Sequence, residues 1–84
     1  MAEYLTKVIL PAAGSAAVPI PTNGGVLGVY STSPITIGWE FNGEVGQIAA
    51  NVSVWEPHTA FIPSPFSKLI VTAAAAADVA IRMV

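Results

Sequence analysis

The sequence predicts an all-β domain, a small antiparallel β-sandwich or jelly-roll-like barrel with an extended N-terminal arm. Seven prolines and seven glycines cut the 84 residues into short pieces, and short pieces separated by turn signals mark sandwiches and barrels. In the clearest piece Ile35, Ile37, Trp39 and Phe41 alternate with Thr36, Gly38 and Glu40, the period of a half-buried strand. Asn42-Gly43 follows directly, the strongest short-range hairpin signal because both residues tolerate positive φ.

The first piece, Tyr4 to Leu10, is rich in Tyr, Thr, Val and Ile, which suit a pleated surface. It ends at Pro11. Small residues and prolines follow to Pro21. Pro19 and Pro21 lack a ladder donor, so Ala16 to Ile20 reads as an edge strand or part of an arm. Residues 1–21 are thus assigned to the arm or edge strand and 22–84 to the sandwich. Thr22 to Gly25 reads as a turn, Val26 to Ser31 as a strand, and Thr32-Ser33-Pro34 as a second turn. Beyond the hairpin, Gly46 to Trp55 resumes strand character, with Val52 and Val54 on one face and Asn51, Ser53 and Trp55 on the other. Glu56 to Pro65 is a proline-rich loop, Phe66 to Thr72 a strand, and Val79, Ile81 and Met83 alternate in a last one. Ala73 to Ala77 has high helix propensity. A helix from there to Val84 would be marginal in length and would contain Val79, Ile81 and Val84, so the run reads as a tight connection between the last two strands.

Composition narrows function. Residues are 54% hydrophobic and only 10% charged, against roughly 25% charged in an ordinary soluble domain. A chain this short has little interior, and buries only about 60–65% of its unfolded surface. Part of the apolar material must lie outside, and exposed apolar patches mark interfaces. Lys7, Lys68 and Arg82 are the only cations, against five acids. They build no phosphate-tracking stripe and no basic patch for anionic lipid, which argues against nucleic acid and membrane as partners. The chain has no cysteine, hence no disulfide framework and no thiolate chemistry. No run approaches the 18 or so apolar residues of a membrane span, and Glu3 stands where a secretory signal carries positive charge.

Chemistry-bearing constellations are sparse. His58, the sole histidine, has only Glu56 nearby, and Glu-Pro-His in a loop matches no metal-ligand spacing; it reads as a solvent-exposed loop residue. Glu40 and Glu44 flank the Asn42-Gly43 turn and could be a carboxylate pair, but at an exposed hairpin end they read as solvated charges. Gly24, Gly25 and Gly28 fit no phosphate-binding loop, and no serine sits in a nucleophile elbow. Asn51-Val52-Ser53 matches the glycosylation pattern, which is frequent by chance. No catalytic, cofactor or metal residue is assigned, and no cofactor is expected. Trp39 belongs with the core face. Trp55 reads either as a further core residue or as an exposed anchor beside Pro57. Phe61, Ile62 and Pro63, in a loop stiffened by prolines, add a second apolar patch that would dock with little loss of conformational freedom. The candidate protein-interface residues are Tyr4, Leu5, Val8, Leu10, Trp55, Pro57, Phe61, Ile62 and Pro63.

From Val26 onward, Ser31-Thr32-Ser33-Pro34 leads into a hairpin strand. A Pro/Phe approach then leads to Phe66, Leu69, Val71 and Thr72, the small residues Ala73–Ala77 and a closing apolar strand Val79–Val84. This pattern resembles small β-sandwich virion proteins of tailed bacteriophages. The resemblance covers about two-thirds of the chain, in strands and turns rather than functional residues. It implies a capsid decoration, cement or spike-base protein in the virion, non-enzymatic and homo-oligomeric with a trimer favoured. The implied partner is the major capsid protein or another virion protein. Residues 1–21 match nothing in the pattern; their extended, proline-punctuated character suits an arm reaching a neighbouring subunit, whose removal to Pro11 should leave the sandwich folded. The alternative is a carbohydrate-binding or adhesin-like module using Trp55, Tyr30 and Glu56. Positive mean hydropathy raises a third reading, a small membrane-associated protein.

Overall fold

The computed structural model describes residues 3–20, 24–58 and 67–84. Six strands account for most of them: β1 (Tyr4–Leu10), β2 (Gly14–Pro19), β3 (Val26–Phe41), β4 (Glu44–Trp55), β5 (Lys68–Ala73) and β6 (Ala77–Met83). All pairings are antiparallel. They form one sheet, ordered β1-β6-β3-β5-β2 with β4 on the other side of β3, curled into a half-barrel.

The registers reduce six strands to four long ribbons. On one side of β3, β6 covers its first half (Val26 opposite Met83) and β5 its second half (Glu40 opposite Lys68). Strands β5 and β6 therefore run in the same direction, end to end, interrupted only at Ala74–Ala76. The connection expected at Ala73–Ala77 is there, but as a bend in one ribbon rather than a reversal. Strands β1 and β2 repeat the arrangement one ribbon further out: Leu10 lies opposite Ala77 and Gly14 opposite Ala73, so Pro11–Ala13 faces Ala74–Ala76.

Two sequence expectations change here. Thr32-Ser33-Pro34 is not a turn. It is the middle of the sixteen-residue β3, at the level where its pairing with β4 shifts between Tyr30 and Ile35. An exposed proline at such an irregularity forfeits no regular ladder bond. Residues 4–19 are not a free arm either. Both β1 and β2 are hydrogen-bonded into the sheet along their length, as edge strands. Half of the expected Thr22–Gly25 turn, Thr22 and Asn23, lies outside the described residues; Gly25 exchanges both backbone hydrogen bonds with Val84, each 3.0 Å.

Alternation decides what fills the concave side. Along β5 and β6 every odd residue from Leu69 to Met83 except Ala75 is buried. These join Leu10, Val18, Ile20, Val26, Val29, Ile35 and Ile37 in a single cluster. Ile37, Leu69, Val71 and Ile81 have no measurable exposure. At about 25 cal/mol per Å² of apolar surface removed from water, this cluster is the main stabilising term. Ile35 and Ile37 are buried as their period predicts, while Trp39 and Phe41 are half-buried near the end of the ribbon. Trp39 lies over Gly46, where a Cβ would run into its indole ring, so the absence of a side chain at 46 makes room for it. Asn42 and Gly43 both have positive φ (54° and 87°), as expected of a tight β3–β4 hairpin.

Candidate functional site

The convex face and the two free edges are what this fold leaves open. Among the described residues strand β4 pairs only with β3, and β1 and β2 form the opposite edge. Among the described residues five large hydrophobic side chains are exposed: Tyr4, Leu5, Ile9, Val45 and Val54. All lie on β1 or β4. The central strands expose none. Ile9 is 71% exposed and Val45 74%, so their branched side chains stand almost wholly in solvent.

The N-terminal interface candidates divide by the pleat. Leu10 is buried in the core and Val8 is half-buried against it, so both contribute to the fold. Leu5 points outward. Tyr4 is 46% exposed, its hydroxyl 3.6 Å from Met83 Sδ. Pro57 is half-buried, and Phe61, Ile62 and Pro63 lie outside the described residues. Trp55 is half-buried and packs against the core. The expected facing of β4 is thereby corrected: Val52 and Trp55 turn inward while Val54 is exposed. The cause is the register shift on β3, which pairs Ile35 with Val52 but Val29 with Trp55, together with the left-handed backbone of Asn51 (φ 56°). Asparagine is among the few residues that adopt that conformation readily.

Ile9, Val45 and Val54 are the surface residues that the sequence reading missed. For Ile9 a signal existed. In Tyr4–Leu10 one alternating set contains Lys7, so the set Leu5, Lys7, Ile9 had to face water. For Val54 none existed, because the bend that turns it outward comes from pairing with β3.

Pairing places Lys7, Ala80, Tyr30 and Val54 in one row across the convex face. A shallow open cleft of about 450 Å³ runs over part of this row, lined by Lys7, Ile9, Tyr30, Thr32, Asp78 and Ala80. Its floor is internally satisfied at one point, where the Asp78 backbone N–H donates to Thr32 Oγ1 at 2.9 Å. At the β4 end of the row the Tyr30 hydroxyl donates to Glu56 Oε2 at 2.5 Å. This hydrogen bond to the carboxylate, helped by burial, holds the Tyr30 hydroxyl's pKa above its usual 10. Arg82 makes a 3.5 Å ion pair with Glu3 between two well-exposed side chains, a contact worth little in stability. Lys7 makes no ion pair among the described residues.

Comparison with protein-family models, curated proteins and solved structures finds no match. The site therefore rests on its own geometry. No group of three or more His, Asp or Glu side chains converges on a metal-sized point among the described residues. His58 is exposed. Glu40 accepts the Gly43 N–H at 3.1 Å, which ties it to the hairpin turn. Among those residues no helix is long and apolar enough to cross a membrane.

Proposed function

We propose that this chain is a non-enzymatic structural module of a virus particle, a capsid decoration or cement protein acting through apolar contacts as a closed homo-oligomer, with a trimer favoured. One observation carries the associative part of the reading: every exposed large hydrophobic among the described residues sits on a free-edge strand. Unpaired edges offer backbone donors and acceptors to another chain, and exposed aliphatic side chains beside them add a non-directional attraction. The low charge of the chain agrees with a surface meant to be covered. The virion assignment rests on the sequence resemblance. A sandwich or jelly-roll grouping belongs to the same proposal, with the two halves of the bent sheet playing the two layers. The test is quantitative mass spectrometry of virus particles induced from cells carrying the gene. Stoichiometric, multi-copy presence supports the reading, and absence from intact particles overturns it.

A second reading has its own observation. The Tyr30–Glu56 hydrogen bond joins two of the three residues named for carbohydrate binding, and Trp55 is adjacent in sequence. An aromatic ring beside a carboxylate acceptor suits a sugar. Tryptophan fluorescence titrated with a panel of polysaccharides tests it; a flat response across the panel removes it.

A further inference from the structure

The two free edges differ in charge at the same level of the sheet. Around Lys7 on β1 stand Leu5 and Ile9, 53% and 71% exposed. In the same row, the β4 edge carries Val54, 59% exposed, followed by Glu56, which is held on that face by Tyr30. At this level each edge presents exposed aliphatic surface and one charge, and the charges are opposite; toward the strand ends lie Glu3, paired with Arg82, beside β1 and Glu44 on β4.

Pairing like edges is disfavoured by this arrangement. A two-fold contact of β4 with β4 brings Glu44 and Glu56 of both copies together without a cation on either strand. Like charges placed opposite each other across strands destabilise the pair. A β1-to-β1 contact centred on Lys7 brings two Lys7 residues together, and the register that instead sets Lys7 opposite Glu3 competes with the Glu3–Arg82 ion pair. Placing β4 against β1 of the next copy at the same level sets Val54 opposite Lys7, between Leu5 and Ile9, and brings Glu56 one diagonal step from Lys7, within reach of a long side chain. Strand direction also agrees. Since β1, β6, β3 and β4 alternate up and down, β4 is antiparallel to β1 of a copy rotated about an axis along the strands. The ladder then continues without a break in pattern.

We infer that copies of this chain associate head to tail, the β4 edge of one against the β1 edge of the next, with a Glu56–Lys7 contact at each junction. The inference rests on the homo-oligomeric part of the proposed function and names its interface. Heterologous contacts of this kind close into rings when the rotation permits.

The experiment is sedimentation velocity over a concentration series on the full chain and on K7E, E56K, the double swap K7E/E56K, and Y30F. Circular dichroism checks that each variant is folded. The wild type is expected to form a discrete closed oligomer. Each single charge reversal should raise the dissociation concentration by about fivefold or more, the scale of a partly exposed ion pair turned repulsive. The double swap should restore association, because it reinstates an opposite pair only in a head-to-tail junction. Y30F, which removes the hydroxyl that holds Glu56 but keeps its charge, should associate within about twofold of wild type. A monomeric wild type, a double swap no better than the single reversals, weakening by only one reversal, or a Y30F loss equal to that of E56K would each overturn the inference. None of these outcomes depends on whether the chain is found in virus particles.

Discussion

Adjacent residues Ile9 and Leu10 give the sharpest test of where β1 belongs. Leu10 is 8% exposed within the core and Ile9 is 71% exposed on the convex side. Truncating Leu10 to Ala removes three carbons, about 2.4 kcal/mol of transfer free energy at ~0.8 kcal/mol per CH₂. A residual cavity adds to this, partly relieved because the site is close to the ribbon's break at Pro11. The expected loss is about 2–3 kcal/mol, against a total stability of roughly 4–13 kcal/mol for a chain of this length. Ile9→Ala should change stability by less than about 0.5 kcal/mol, as at other solvent-facing positions. Urea denaturation followed by tryptophan fluorescence measures both. With a slope near 1 kcal/mol per M, Leu10→Ala should lower the midpoint by about 2–3 M and the melting temperature by roughly 10–20 °C. Deleting the chain through Pro11 should be worse still, since β6 would lose a seven-residue partner. Near-equal, small effects of the two truncations, or a deletion that leaves the domain as stable as before, would refute the seating of β1 in the sheet.

Three further outcomes follow from single side chains. The Ser67 hydroxyl is buried with no hydrogen-bond partner among the described residues, while its carbonyl accepts the Ile20 N–H at 2.9 Å; Ser67→Ala removes only that hydroxyl and should raise stability by up to about 1 kcal/mol in the same denaturation assay. Gly43 has a φ of 87° with open space around its Cα, so Gly43→Ala meets no clash, yet should cost about 1–2 kcal/mol through backbone strain alone. In a Tyr4→Phe background, ultraviolet titration should place Tyr30 ionisation above 10, and Glu56→Ala should bring it down. Because the folded value is the raised one, the Tyr30–Glu56 contribution is present below pH 10 and lost as pH climbs through the folded pKa.

The strands were legible where local rules act alone. Alternation at Ile35 and Ile37 and positive-φ tolerance at Asn42-Gly43 are properties of neighbouring residues, and the structure agrees with both. The Ala73–Ala77 run resisted helix formation as expected: in an end-to-end ribbon beside β3, Ala73 and Ala77 both meet the core. What stayed hidden was set by partners distant in sequence. Pro34 looked like a turn because proline usually interrupts pairing, but β3 passes straight through it where the ladders on both sides are already irregular. Trp55 could not be placed, because its facing depends on a register shift against Tyr30 and Ile35. At the candidate site, Lys7 was visible as one of three cations. Its alignment with Tyr30 and Val54 is a product of three ladders.

The bend and the open edges have one origin. Breaks at Pro11–Ala13 and Ala74–Ala76 and the pairing irregularity of the continuous β3 at Thr32–Pro34 fall at the same level across the ribbons, so the sheet curls there as a unit and both halves share one core. The four ribbons of the described residues do not close the curl into a barrel, and only closure abolishes sheet edges. The edges are nevertheless not equally available. The β1–β2 edge carries Lys7, Pro11 and Pro19, and β4 carries the irregularity at Asn51, all features that discourage indiscriminate strand addition. Exposed aliphatic side chains on those same strands oppose that protection. Edges partly blocked to arbitrary strands, yet apolar and opposite in charge at matching rows, favour a partner with the complementary pattern. A second copy of this chain has it.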